Sequence, residues 1–569
     1  MISNVPQLIP AGLAAGLALW LVSGLLAALS PGPRLSRTLA ALGVGSGAVS
    51  LGGAALGTLL SGATTALPLW QPVPFAAFDL RLDPLAAFFL LVIAAVSVPV
   101  AIYTPAYVAH DPHYSARRLG LLTNLFLLSM ALVVLAGNAF AFLIVWEGMA
   151  LVSYLLVMTD QHDAQVTAAG FIYLVMTHTG TAFLTVAFLG FYAATGTFDF
   201  AAWTAAAPLP PLIRDGIFLC ALIGFGTKAG VIPLHIWLPR AHPVAPSPVS
   251  ALMSGVMLKT AIYGLVRVIF DFFGGRDTPP LWWGEAILGL GLVSAVLGVL
   301  YALMESDLKR LLAYSSIENI GIILLGLGAS LLLLSMRQPA LAGLALFAAL
   351  FHTLNHALFK ALLFLGAGAI QYATGTRQID ALGGLARRMP GTAACFLVGA
   401  IAISGLPPFN GFASEWLTFQ GLFTAGAALS PIPAIAALIA AGGLALTAGL
   451  AAACFVKAFG VTFLALPRTG AAVQGVAEVP RGMRVGMGLL ALACLVLGVV
   501  PGSIRSLVEA VLRQLRVAAP TGSAADGLPN PAAIAGLGAL APGILLIGGL
   551  VLLPLPWLLT RGRPRRGRP

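Results

Sequence analysis

Apolar stretches long enough to cross a bilayer, roughly 20 residues each, recur along this chain between short polar turns. That rhythm predicts helices near 9–30, 39–61, 84–108, 119–137, 139–159, 166–195, 213–238, 247–273, 281–304, 311–335, 340–372, 391–426, 432–466, 483–500 and 532–560. About fifteen spans with no long polar stretch between them predict an all-α polytopic membrane protein. The opening segment is followed by further spans and carries no signal-peptide cleavage pattern, so it is expected to stay as the first helix.

Two segments break the rhythm in matching ways. Residues 216–238 read GIFLCALIGFGTKAGVIPLHIWL, with Gly224, Gly226, Gly230 and Pro233 around Lys228. Residues 395–419 read CFLVGAIAISGLPPFNGFASEWLTF, with Gly405, Pro407, Pro408 and Gly411 just before Glu415. Glycine adds backbone freedom and proline removes an N–H donor, so both segments should unwind. Inside a bilayer, unwound backbone is tolerated only where protein buries it or where it lines a wet cavity. Paired breaks an odd number of spans apart, each with an ionisable residue, point to inverted repeats with function at the breaks. Proline kinks used only for packing are the plainer reading, but they leave the two charges unexplained.

Composition agrees with the pattern. The chain has 569 residues, 59% hydrophobic and only 9% charged, against about 25% charged in soluble domains; its mean hydropathy is +0.98. A net charge of +11 would suit nucleic acid, but the arginines sit in short loops and at the C-terminus. Counted by loop, Lys and Arg number eighteen on one side and seven on the other; without the five tail arginines the balance is thirteen to seven. That bias predicts the N-terminus outside and the C-terminus in the cytoplasm, and it excludes nucleic acid as a partner. Cys220, Cys395, Cys454 and Cys494 lie in apolar segments without CxxC spacing and read as packing residues. No Gly-rich nucleotide fingerprint follows a strand, so no flavin, nicotinamide or iron–sulfur cofactor is expected.

The candidate chemistry lies in seven titratable groups within apolar runs: Glu147, Lys228, Lys259, Glu318, His356, Lys360 and Glu415. Each costs about 2.5–3.5 kcal/mol on insertion scales, so such residues are kept for function. Lys228 is the natural counter-ion for Glu147, as either a fixed structural pair or one that opens. Lys259 lies roughly 18 Å into its helix at 1.5 Å per residue, too deep to snorkel, where a desolvated lysine can exchange protons. Arg267, near the other end, reads as an interfacial anchor. His352, His356 and Lys360 fall at i, i+4 and i+8, one face of one helix. HxxxH can hold zinc, but HExxH is absent and no carboxylate adjoins it, so no metal is expected and a histidine relay fits better. Glu318 mirrors Glu147, Glu415 mirrors Lys228 with opposite sign, and Lys457 lies in the span mirroring Lys259. Glu305, Asp307, Lys309 and Arg310 read as interfacial charges, a potential docking surface. His178 and His235 stay open, though His235 could line a wet mouth at the break.

Five segments carry a resemblance: LIVWEGMALVSYLLV, GFGTKAGVIPLHIWLPRAHPVAPSPVSALMSGVMLKTAIYG, DLKRLLAYSSIENIG, LNHALFKALLFLGAG and GLPPFNGFASEW. In order, over residues 80–465, the chain resembles the proton-conducting antiporter-like membrane subunits of respiratory complex I. Mrp-type cation/proton antiporters share that core, and WEGMA, SIENIG and GFASEW resemble most the hydrogenase-4 and formate hydrogenlyase branch. The resemblance implies a fourteen-helix core with two five-helix inverted repeats, each holding a broken helix. On the sequence these fall at 1–118 for N-terminal helices, 119–273 and 281–466 for the repeats, and 467–569 for C-terminal helices and basic tail. It also implies roles: Glu147 and Lys228 as the paired charges, Lys259 as the central lysine, His356 and Lys360 as the bridge, Glu415 as the exit. Some relatives carry lysine at the exit, so the sign of the last transfer is not carried over.

The expected function is a non-redox, proton-translocating subunit in the inner (plasma) membrane, not an enzyme on its own. Its partners would be other membrane-arm subunits, a soluble redox module and the lipid bilayer; its cargo would be protons, with Na+ as the alternative. The rivals are a cation (Na+ or K+)/proton antiporter, a pump driven by a non-redox soluble partner such as one for inorganic-carbon uptake, and a scaffold.

Overall fold

The computed structural model describes residues 5–73, 76–110, 114–274, 278–468 and 475–517. Helices α1 (Val5–Leu29) and α2 (Pro33–Ser61) lead into strands β1 (Thr65–Val73) and β2 (Ala76–Leu82). Helices α3 (Pro84–His110), α4 (Ala116–Leu135), α5 (Ala139–Val157) and α6 (Ala164–Thr195) follow, then the short α7 (Phe200–Ala205). The first broken segment is α8 (Pro211–Ala229) and α9 (Leu238–Val244). The next span runs from α10 (Ser247–Leu252) through a π turn (Met253–Met257) to α11 (Leu258–Val266) and a second π turn (Arg267–Phe272). Helices α12 (Leu281–Met304), α13 (Leu308–Ser335) and α14 (Pro339–Thr374) precede the second broken segment, α15 (Pro390–Ile403) and α16 (Asn410–Ala428). Helices α17 (Pro431–Phe459), α18 (Arg481–Val499) and α19 (Arg505–Gln514) complete the described chain.

Among the described residues, twelve helices are long and apolar enough to cross a membrane. The two broken segments fall outside that count: α9 and α15 are short, α8 carries Arg214, Asp215 and Lys228, and α16 carries Asn410, Glu415 and Gln420. The expected span at 532–560 lies outside the described residues. The span Ser247–Phe272 is enclosed on all sides and Leu308–Ser335 nearly so, while Gln7–Leu29 and Ala164–Thr195 leave most of their surface uncovered. Helices apolar all round suit both places: the enclosed ones bury their faces in protein and the outer ones turn them to lipid.

Close backbone approach builds the centre. Between α12 and α13, a Cβ on Gly298 would lie 2.5 Å from the Glu318 nitrogen, and one on Gly321 would lie 2.4 Å from the Ala295 nitrogen. Small residues facing each other let two helices touch backbone to backbone, which is how helices associate without a hydrophobic driving force between them. Glu318 is thereby held on a helix pressed against its neighbour.

Both expected breaks are present, and they share a pattern. Gly230 (φ 81°) ends α8 ahead of a cis Ile232–Pro233 bond, and Gly405 (φ 60°) follows α15 ahead of a cis Pro407–Pro408 bond. Left-handed backbone is where glycine meets no Cβ penalty. The backbone groups freed at the first break find partners inside the protein: Trp237 Nε1 donates to Thr227 O at 2.8 Å, and Ile232 N–H to Ser294 Oγ at 3.1 Å. That is the condition for unwound backbone at membrane depth.

Two elements were not anticipated. The antiparallel β1–β2 hairpin pairs Thr65 with Leu82, and its register shifts between Pro68 and Trp70; prolines argue against a strand, and an irregularity is where one fits. The amphipathic α19 reaches α3, where Gln514 Oε1 accepts the Leu85 N–H at 2.8 Å beside Asp83, whose Oδ1 accepts from Ala86 N–H at 3.0 Å. Both satisfy orphan donors of the first turn of α3.

Candidate functional site

The enclosed helices carry a continuous polar row. At the π turn the Leu258 N–H bonds Met253 O, five residues back, loosening the usual ladder. The Lys259 ammonium donates to Ser254 O in the same turn at 2.6 Å. Such π turns gather at functional sites. Ser254 Oγ lies 2.8 Å from Ser316 Oγ on α13, and Ser316 donates to Leu312 O at 2.8 Å. Lys360 from α14 donates to the same Leu312 carbonyl at 2.9 Å and to Ser315 Oγ at 2.5 Å.

From there the row continues along α13 and α14 to the second break. Asn319 Nδ2 donates to Ser315 O at 2.8 Å, and Asn319 Oδ1 lies 3.2 Å from His352 Nε2. His352 Nδ1 lies 3.0 Å from Ser414 Oγ on α16, the residue before Glu415. Glu415 is itself buried, its carboxylate packed over Gly405, where an added Cβ would come 2.3 Å from Oε2. Lys259, Glu318, His352, His356, Lys360 and Glu415 are all buried among the enclosed helices. Both ring nitrogens of His356 and Oε2 of Glu318 are buried with no hydrogen-bond partner among the described residues. Native interiors leave few such groups, and functional sites are one place they are found.

The first half departs from expectation. Lys228, in the last turn of α8, donates to the Tyr173 hydroxyl at 2.9 Å, and that hydroxyl lies 2.6 Å from Ser153 Oγ. The Glu147 carboxylate meets His178 instead, Oε2 to Nδ1 at 3.0 Å, with about half of the histidine side chain exposed. The expected direct Glu147–Lys228 pair is therefore not formed. Helix geometry explains it: successive residues point about 100° apart, and Trp146 takes the direction of Lys228, with its ring 5.9 Å from Nζ. Glu147, one residue on, is turned toward α6.

Other expectations are corrected as well. Arg267 is no interfacial anchor but a buried ion-pair centre, its Nη1 2.8 Å from Asp83 Oδ2 and 2.6 Å from Asp271 Oδ2. Burial opposes charge on Asp83, yet the Arg267 guanidinium outweighs it and holds that carboxyl below the ordinary aspartate value. Lys457 stands away from the row and donates to Leu303 O and Glu305 O at the end of α12, as cations do at helix C-termini. The cluster expected at the interface is knitted into the fold: Lys309 donates to Ala245 O while Asp307 pairs with Arg377 and Glu305 with Arg310. His235 sits in the first break, half-buried.

The connectors Tyr173, Ser153, Ser254, Ser315, Ser316, Asn319 and Ser414 were missed in sequence. Tyr173 apart, their only signal is small polar residues in apolar helices, and those more often bond the preceding turn of their own helix.

Two broken helices and a buried row of ionisable residues between spans define a polytopic membrane protein built around polar groups in its interior. The chain belongs to the NADH:quinone oxidoreductase/Mrp antiporter transmembrane family, whose model matches residues 136–440. Residues 75–116 match the N-terminal family of NADH-ubiquinone oxidoreductase (complex I) chain 5. The chain is 41% identical to hydrogenase-4 component B of Escherichia coli over 536 residues, 91% of this chain and 78% of the relative. It is 37% identical to formate hydrogenlyase subunit 3 of the same organism over 458 residues, 80% and 72% of the two chains. A chain of the membrane-bound sulfane sulfur reductase, an archaeal respiratory membrane complex, shares the fold with a TM-score of 0.76 and 26% identity, over 97% of this chain and 85% of that one.

Proposed function

We propose that this chain is the proton-translocating, antiporter-like subunit in the membrane arm of an energy-converting complex of the complex I and hydrogenase-4 type. It performs no redox step itself; partner subunits carry the electrons, and this chain couples their transfer to proton movement. The reading rests on one observation above all: the buried row of polar contacts from Lys259 through Ser254, Ser316, the shared Leu312 carbonyl, Lys360, Ser315, Asn319 and His352 to Ser414, beside Glu415, joined in part through backbone carbonyls. A scaffold would not need lysines and histidines at depth, since apolar residues of similar volume pack a core at least as stably.

In mechanism, Lys228 and Tyr173 form the first switchable contact and Glu147 with His178 a second, exposed one. A change at either alters the field at Lys259. The proton passes along the serine-lined junction to Lys360, with His356 and Glu318 exchanging partners beside it, and leaves through His352 toward Glu415. Buried groups this close titrate as a set. Residues 119–273 and 281–466 act as the two inverted repeats. The arginine bias supports an N-terminus outside and a cytoplasmic C-terminus.

The test is donor-driven proton uptake by vesicles holding the assembled complex. Lys259→Ala and Lys360→Ala should leave assembly intact and abolish coupled uptake; undiminished uptake in both overturns the reading. The second reading, cation/proton exchange, is favoured by the family's inclusion of Mrp antiporters, and Na+ or K+ flux without an electron donor would select it.

A further inference from the structure

A cavity of about 400 Å³ opens away from the polar row, among the ends of α6, α12, α13 and α19 and the start of α14. Its walls include Trp203, Phe272 and Trp283, and three arginines line it: Arg214, Arg337 and Arg516. Arg214 is occupied, paired with Asp215 at 3.0 Å and standing 5.5 Å over the Trp283 ring. Among the described residues neither Arg337 nor Arg516 has an ion-pair partner, and both are exposed.

The backbone of those two arginines is the second, independent observation. Arg337 (φ 58°) and Arg516 (φ 55°) are the only non-glycine residues in the left-handed region among the described residues. Each closes a helix in the same way. Arg337 N–H bonds Leu334 O and the next N–H bonds Leu333 O at the end of α13; Arg516 N–H bonds Arg513 O and the next bonds Leu512 O at the end of α19. That motif takes glycine by default, because its turning residue is left-handed. Gly62, Gly196 and Gly375 fill the left-handed caps of α2, α6 and α14. Of the helices that end on this cavity, α6 keeps glycine while α13 and α19 carry arginine, twice against backbone preference. Strain of this kind persists where the surroundings or a function demand it.

We propose that the cavity binds an anionic phospholipid, its phosphate held by Arg337 and Arg516 and its acyl chains lying against the aromatic wall. The chemistry is matched at both ends. Guanidinium groups are planar, multiply donating partners for phosphate, and tryptophans near the ends of membrane helices sit at headgroup level. A free phosphate would satisfy the arginines but leave the apolar wall unused.

The experiment measures lipid retention on the purified full chain by native mass spectrometry, after exchange into phosphatidylglycerol, phosphatidylcholine of the same chains, or inorganic phosphate. The wild type should retain phosphatidylglycerol over phosphatidylcholine. Arg337→Gly with Arg516→Gly should weaken that binding about thirtyfold, at roughly fivefold per basic residue near an anionic surface. The same variant should melt in lipid-free detergent no lower than wild type, since glycine suits both positions. Should it fail to fold, Arg337→Gln with Arg516→Gln removes charge alone and should show the same loss. Equal retention of phosphatidylglycerol by charge-removed variants, no preference over phosphatidylcholine, or equally tight binding of inorganic phosphate would each overturn the proposal.

Discussion

Lys259 and Lys360 meet at one serine-lined junction. Ser254 takes the Lys259 ammonium on its carbonyl and holds its hydroxyl 2.8 Å from Ser316, while Ser316 and Lys360 share the Leu312 carbonyl. Among the described residues no carboxylate bridges the two ammonium groups; with hydroxyls between them their charge states are coupled, and a hydroxyl can accept from one side as it donates to the other.

Removing that link gives the first prediction. Ser254→Ala deletes one side-chain hydrogen bond and Ser316→Ala two, each worth about 1 kcal/mol of stability, so the subunit should still assemble. Donor-driven proton uptake should fall about tenfold or more in each, read by a pH-sensitive dye in vesicles alongside the amount of complex on a native gel. Uptake at wild-type level in both variants would show that protons do not pass this junction.

A second prediction separates the two contacts of the first half. Tyr173→Phe leaves the buried Lys228 ammonium without its hydroxyl partner, a loss of about 1.5–3 kcal/mol for a bond to a charged group. His178→Ala removes the partner of a half-exposed pair, for which about 0–1 kcal/mol is expected. Melting midpoints of the purified protein should therefore drop clearly for Tyr173→Phe and barely for His178→Ala. The reverse order would mean that Lys228 is not the buried, committed group of this half.

Much of this was readable from residues, and the rest was hidden for definite reasons. The spans followed from apolar length, and both breaks from Gly230 with Pro233 and Gly405 with Pro407, because backbone chemistry there is local. The burial of Lys259, Lys360 and Glu415 followed from depth in their runs. Partners were less readable. Glu147 was given to Lys228 by charge alone, whereas Trp146 beside it decides which way the carboxylate faces. Arg267 passed for an anchor because its partner Asp83 is 184 positions away, at the end of a hairpin whose prolines disguised it. Serine connectors look like any serine in a helix until the neighbouring helix is in place.

Gly405 gives the third prediction. Its φ of 60° disfavours any side chain, and a Cβ there would stand 2.3 Å from the Glu415 carboxylate. Gly405→Ala should thus displace Glu415 as well as strain the break by about 1–2 kcal/mol. Gly442→Ala, on α17 with open space around it, is the control. Proton uptake should fall in the first and hold in the second; equal uptake in both would free Glu415 of any need for its seat.

The ion-pair centre at Arg267 sets the fourth prediction, in which pH is the variable. Asp83→Asn keeps the shape but leaves Arg267 with a single carboxylate, and breaking a buried pair costs about 3–5 kcal/mol. Burial alone would favour the neutral acid, but Arg267 holds Asp83 below its ordinary value. A depressed carboxyl contributes its stability above the unfolded value, about 3.9 for aspartate, and loses it as pH falls through the folded value. The melting gap between wild type and Asp83→Asn should thus stay constant from neutral pH down to about pH 5, then close below pH 4 as Asp83 takes up its proton. A gap that widened on acidification would mean that Asp83 is protonated in the folded protein, and that Arg267 is neutralised by Asp271 alone.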